Sequence, residues 1–202
     1  MVFEACVGNY KEALENENLG AHRIELCSNL IEGGVTPSYG TIKKAVSTLK
    51  IPVIVMIRPR PGSFEFDKDE IQIMLDDIKK AKELGAYGVA IGALKGDKID
   101  IKSTRMLVEE AKPLRITFHM AFDEVNDQFK AMEQLIKLNI DRILTKGGKE
   151  SAWEGKEKLR ELVCHARGRI IIMPGKGITK DNRESLQKYT KALEVHGTKI
   201  VK

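Results

Sequence analysis

The feature that most constrains this chain is an alternation. Short apolar or β-branched runs are separated by longer stretches whose apolar residues recur at helical spacing. The runs are Val2–Val7, Arg23–Ser28, Pro52–Arg58, Tyr87–Gly92, Arg115–Met120, Arg142–Gly147, Arg169–Pro174 and a weaker Ala192–His196. Parallel strands need a crossover between them, and helices supply it. Asp69–Leu84 shows the pattern: Ile71, Met74, Leu75, Ile78, Ala81 and Leu84 fall on one face, acidic residues and lysines on the other, and Gly85 follows as a stop signal. Asn9, Ser38, Ser103, Asn126, Ser151 and Thr179 are the expected helix N-caps. The repeated unit predicts an α/β fold, a (β/α)₈ TIM-type barrel forming a single domain over residues 1–202. An open dinucleotide-binding sheet is disfavoured, because Cys6-Val7-Gly8-Asn9 stands where its glycine-rich turn would be. A closing C-terminal helix is not found after the eighth run, so either a second copy covers that side, as in the expected homo-oligomer, or the barrel is incomplete.

Composition narrows the function classes. With 42% hydrophobic and 31% charged residues the chain has enough apolar side chains for a packed core and a well-solvated surface. The net charge of +5 is spread along the chain, and aromatic residues are only 5%, so neither a basic stripe nor a stacking platform for nucleic acid is expected. No apolar stretch approaches the roughly 20 residues of a membrane span, and MVFEACVGNY lacks the pattern of a signal peptide. Three cysteines, an odd number, point to reduced thiols and a cytoplasmic protein.

Strand parity then locates candidate chemistry, since residues two apart share a face. Glu4 and Cys6 share one on the first run, Glu25 and Cys27 on the second, Glu194 and His196 on the eighth. Strands about 4.8 Å apart would bring Cys6 and Cys27 close enough to hold a soft ion such as Cu(I), and barrel closure would add His196 as a third ligand. Buried cysteine pairs are ordinarily packing, but two inward carboxylates need a cation or a hydrogen-bond network, which favours a polar site.

Other strand ends suggest an alternative, an enzyme acting on a small anionic substrate. Its candidate catalytic residues are His119, Asp123, Glu25 and Arg58, with Asp123 spaced to orient the imidazole and Arg58 placed to balance charge or hold an anion. Backbone amides of Gly147, Gly148, Gly175 and Gly177, after the sixth and seventh runs, are a candidate anion cradle, although tight turns explain the glycines equally well. Cys164, beside His165 late in a helix, reads as structural or surface.

Several stretches carry a resemblance. Arg23–Gly40 (RIELCSNLIEGGVTPSYG), Val55–Arg60 (VMIRPR), Thr117–Asp123 (TFHMAFD) and Ile172–Gly175 (IMPG) resemble the CutC family, which is named for copper homeostasis. The resemblance implies a TIM-type barrel, a cytosolic protein and a Cu(I) site whose cysteines match Cys6 and Cys27. The sequence departs from the family pattern at Met120, where arginine is usual, at Lys146, where serine is common, and at Lys176, where a third glycine is usual.

Overall fold

The alternation builds a barrel. A computed structural model describes residues 1–202. Its elements are β1 (Val2–Val7), α1 (Tyr10–Asn18), β2 (Arg23–Leu26), α2 (Tyr39–Thr48), β3 (Val53–Met56), α3 (Lys68–Glu83), β4 (Gly88–Ile91), β5 (Leu94–Lys95), β6 (Lys98–Ile99), α4 (Ile101–Ala111), β7 (Arg115–Phe118), α5 (Gln128–Lys137), β8 (Arg142–Thr145), α6 (Lys156–Ala166), β9 (Ile171–Pro174), α7 (Arg183–Thr190) and β10 (Glu194–Gly197). Eight strands form one parallel sheet in the order β10-β1-β2-β3-β4-β7-β8-β9. The other two, β5 and β6, make a small antiparallel hairpin after β4 that the periodicity did not signal. No helix is long and apolar enough to cross a membrane.

Helix starts follow local capping chemistry. Asn9 and Ser38 cap α1 and α2 as expected, accepting from the amides of Glu12 and Thr41. For α4 and α5 the cap is a nearby aspartate: Asp100 accepts from the Ser103 amide and Asp127 from that of Lys130, displacing the expected Ser103 and Asn126. The α6 and α7 starts come later than expected, after Gly155 and Asn182, and Ser151 and Thr179 lie in turns before them.

Alternation along each strand separates two environments. Ala5, Val7, Ile24, Leu26, Val55, Ile91, Ile143 and Val195 pack outward with Met74, Ile78, Leu107, Met132, Leu135 and Leu162 of the helices. The other parity carries Glu4, Arg23, Glu25, His119, Arg142, Glu194 and His196, all buried inside the barrel. Burying this many ionisable groups is costly unless each finds a partner, so the interior must be a connected polar network.

The barrel closes by side chains where the ladder stops. The β1–β10 and β8–β9 ladders are formed, whereas none joins β9 to β10. Beyond the strand ends Thr179 bridges Lys199, and the Lys180 amide donates to the Lys199 carbonyl at 3.0 Å. Within the barrel Arg142 of β8 donates to Glu194 of β10 at 3.1 Å, and Arg23 of β2 reaches both Glu194 and the Met173 sulfur of β9, the latter at 3.5 Å. No helix follows β10 within the 202 residues; Ile200 and Val201 tuck into the core instead.

Candidate metal centre

The register of the first strands sets the centre. Glu4 stands opposite Arg23 on β2 and opposite His196 on β10, while Cys6 stands opposite Glu25. The lower layer is an ion network: Arg23 pairs with both Glu4 and Glu194, and Arg142 pairs with Glu194. Burial alone would raise the Glu4 carboxyl, but the Arg23 charge and the His196 hydrogen bond hold it down at about 2. Arg23 is held more firmly protonated than usual, the neighbouring carboxylates outweighing its burial.

The layer above carries the donors. His196 Nδ1 lies 2.9 Å from Glu4 Oε1, which turns Nε2 toward Glu25 Oε2 at 3.6 Å. Donor atoms of Cys6, Glu25 and His196 all fall within 4.8 Å of one another. Cys27, one residue beyond β2, donates to Glu25 Oε2 at 3.7 Å and lines the same cavity as Cys6. The Cys27 thiol draws the Cys6 thiol down to about 5 against its burial, with His196 helping. Cys27 itself is pushed well above the usual thiol range by neighbouring Cys6 and by burial. Burial would lower His196, but Glu25, Cys6 and Glu4 around it raise it well above an ordinary imidazole. Glu25 is raised chiefly by burial. These surroundings favour a thiolate at Cys6, a protonated ring at His196 and a thiol at Cys27.

These groups open into a cavity of about 280 Å³ lined also by Met56, Arg58, Phe64, His119, Met120, Lys176 and Gly177. His119 is fixed at one wall: its Nδ1 accepts from the Ala121 amide at 3.2 Å, and its ring lies 5.0 Å from that of Phe64. Burial and the nearby Arg58 charge lower it to about 3, so the imidazole is neutral. Gly92 makes room for it, since a β-carbon there would lie 2.4 Å from His119 Cε1. Gly92→Ala should therefore cost about 1–3 kcal/mol through overpacking and displace the ring. Urea unfolding with imidazole NMR checks this, and unchanged stability with unchanged His119 signals would refute it.

The family model described as "CutC family" matches residues 1–201. The chain belongs to the CutC family. It is 47% identical over 197 residues to a CutC family protein from Pasteurella multocida, covering 97% of this chain and 81% of that one. A mouse protein named copper homeostasis protein cutC homolog is 44% identical over 196 residues, 96% of this chain and 72% of its own. The crystal structure of a CutC protein from Streptococcus agalactiae superposes with a TM-score of 0.95 at 38% identity, covering 99% of each chain. The CutC membership and the TIM-type barrel expected from sequence are thereby both shown.

Within this CutC barrel the expected site residues divide. Cys6 and His196 come together with Glu25, which the register sets directly opposite Cys6, whereas Cys27 lines the same cavity without joining that cluster. Arg58 and His119 line the same cavity. Asp123 does not orient His119; the expectation is corrected by its contacts, which are the Thr145 hydroxyl at 2.7 Å and the amides of Lys146 and Gly148 at 3.0 and 2.8 Å. The expected anion cradle is corrected for the same reason. Asp123 already takes the Gly148 amide, Thr145 Oγ1 takes that of Gly147 at 3.0 Å, and the Thr145 carbonyl takes that of Gly175 at 3.0 Å. Gly147 (φ 72°) serves a close crossing, a β-carbon there lying 2.6 Å from the Gly155 carbonyl, and Gly177 lines the cavity mouth. Cys164 is exposed, away from the cavity. Arg23, Arg142 and Glu194 were not singled out as an ion network. The signal was present in Arg23-Ile24-Glu25-Leu26-Cys27, where parity puts the arginine on the glutamate's face.

Proposed function

We propose that this CutC family member binds one Cu(I) ion at the C-terminal mouth of its barrel, through the Cys6 and Cys27 thiolates with His196 as third ligand. The observation that carries this reading is the clustering of Cys6, Glu25 and His196 donors within 4.8 Å, with Cys27 lining the same cavity and bonded to Glu25. Two sulfurs and an imidazole form a soft donor set suited to Cu(I). Glu4 on His196 Nδ1 is the outer carboxylate that orients a ligating imidazole toward its metal. Glu25 Oε1, buried without a partner, is a further oxygen donor within reach of the ion. The copper homeostasis name of the mouse relative points the same way. The role suits a reducing compartment such as the cytoplasm, where thiols persist. Self-association into a homo-oligomer, expected from the sequence, is tested by light scattering.

The test is a Cu(I) titration under reducing conditions against a competing chelator, with Zn(II) in parallel because a harder divalent ion would recruit Glu25. One tightly held Cu(I) per chain is expected, and preference for Zn(II) or no binding would sink the reading. The pH dependence has a definite sign. His196 and Cys27 are raised above their ordinary values of 6.5 and 9.0, so the empty site holds protons that the ion must displace. Apparent affinity should rise with pH through the neutral and mildly alkaline range, with proton release on binding. A flat profile would show that these two groups are not ligands.

A further inference from the structure

The cavity is far larger than a bare metal ion needs, and its second wall carries polar atoms that nothing in the protein satisfies. Arg58 Nε and His119 Nε2 are both shielded from solvent without a hydrogen-bond partner, in residues that are 4% and 3% exposed. Buried polar groups are nearly always paired, and leaving a donor orphaned costs about 1–3 kcal/mol, so two in one wall need an explanation.

The character of Arg58 supplies it. The other arginines buried in the barrel, Arg23 and Arg142, are each bonded to a carboxylate. Arg58 has no ion pair. Its Nη atoms donate to the carbonyls of Glu32, Gly34 and Gly62 at 3.4, 3.2 and 2.6 Å, and its guanidinium sits 4.5 Å over the Phe64 ring. The same ring stacks on His119 from 5.0 Å, which holds the two side chains against one aromatic plate. The cation is thus locked in place by neutral groups beside a neutral imidazole whose Nδ1 already accepts a hydrogen bond, so Nε2 is the protonated nitrogen and a donor. The exposed Lys176 adds positive charge at the mouth.

We propose that this wall binds the carboxylate group of a small organic acid, one oxygen received by Arg58 and the other by His119. This site stands on residues other than the sulfur ligands and goes beyond the copper reading. Two free donors match the two oxygens of one carboxylate. A phosphate asks for more donors, and the amides of Gly147, Gly148 and Gly175 that would supply them are already taken by Thr145 and Asp123. The cavity of about 280 Å³ lies at the lower end of the range of small-molecule sites, which limits the acid to a few carbons.

The experiment is NMR titration of the metal-free protein with acetate, pyruvate, malonate and succinate, with inorganic phosphate as a separate arm, following the His119 Nε2–H signal. At least one carboxylate should shift that signal saturably. Arg58→Lys, which keeps the charge but loses the fixed fork, should weaken binding about tenfold or more, as should His119→Phe. His119→Gln, which retains a side-chain donor, should recover part of the loss. Because Arg58 also ties loops together, each variant's unfolding curve is recorded first. If Arg58→Lys does not fold, the His119 pair and the wild-type signal decide. Carboxylates leaving His119 unmoved, binding unchanged in His119→Phe, or phosphate binding as tightly as any carboxylate would each overturn the proposal.

Discussion

Replacing Cys6 with alanine is expected to lower Cu(I) affinity by about a hundredfold or more, while leaving the fold intact. Loss of groups that only orient a ligand typically costs 10–100-fold, so loss of a direct ligand should do at least as much. Cys6 is the stronger choice than Cys27 because it belongs to the donor cluster that Cys27 stands outside: it is opposite Glu25 in the register and close to His196. It is also the sulfur whose surroundings favour the thiolate, with a pKa of about 5, whereas Cys27 is held as the thiol. Cys27→Ala should therefore weaken binding less than Cys6→Ala, and the double variant should approach the background of the competing chelator. Equal affinity in wild type and the double variant would remove the cysteines from the site altogether. The exposed Cys164 serves as an internal control, and Cys164→Ala should change nothing.

Arg23→Met should be among the most destabilising single substitutions in the protein, lowering unfolding free energy by about 3–5 kcal/mol. Methionine fills much of the same space, so the effect reports charge rather than cavity. Removing the guanidinium leaves Glu4 with only His196, and Glu194 with only Arg142, in a barrel interior closed to solvent. It also cuts a tie across the unladdered side between β9 and β10, because Arg23 reaches Glu194 and Met173 together. The sign of the pH dependence follows from Glu4. A carboxyl lowered from 4.5 to about 2 stabilises the fold fully above pH 4.5 and loses that contribution as pH falls toward 2. The gap between wild type and Arg23→Met should therefore narrow on acidification through that window. Urea unfolding at several pH values measures it, and a difference below about 1 kcal/mol at neutral pH would mean the network is not holding the barrel together.

The two substitutions divide the interior into layers with separate duties. Arg23, Glu4, Glu194 and Arg142 fill the lower barrel with paired charge and fix the strands in register. Glu4 then passes that order upward through His196, so the layer that closes the barrel also aims the imidazole of the layer that holds the donors. A barrel filled entirely with aliphatic side chains would close as well, but it would give His196 no fixed tautomer.

Much of this was legible in the sequence. The repeated strand–helix period implies the barrel, and period-two parity alone sets Cys6, Glu25 and His196 inward. Helix caps follow the sequence where a lone Asn9 or Ser38 stands ahead of the helix, and shift to Asp100 and Asp127 where an aspartate competes with Ser103 or Asn126. Asp123 shows the limit most clearly. Its spacing from His119 is suggestive, yet its partners lie 22 to 25 residues further on, at the end of β8 and in the loop after it. Local spacing cannot reveal that a carboxylate will be claimed by a loop from another unit.

By itself the sequence determined the strand and helix content, the closed α/β architecture and the side of each strand on which its ionisable residues lie. These follow from periodicity, a local property of the chain. Only the tertiary structure decided the stagger between strands, and with it that Cys6 faces Glu25, that Asp123 serves the β8 loop, and that Arg58 and His119 stand with unclaimed donors over one cavity. The physical reason is that register is fixed by packing and charge pairing among residues far apart in the chain, which no single stretch of sequence contains.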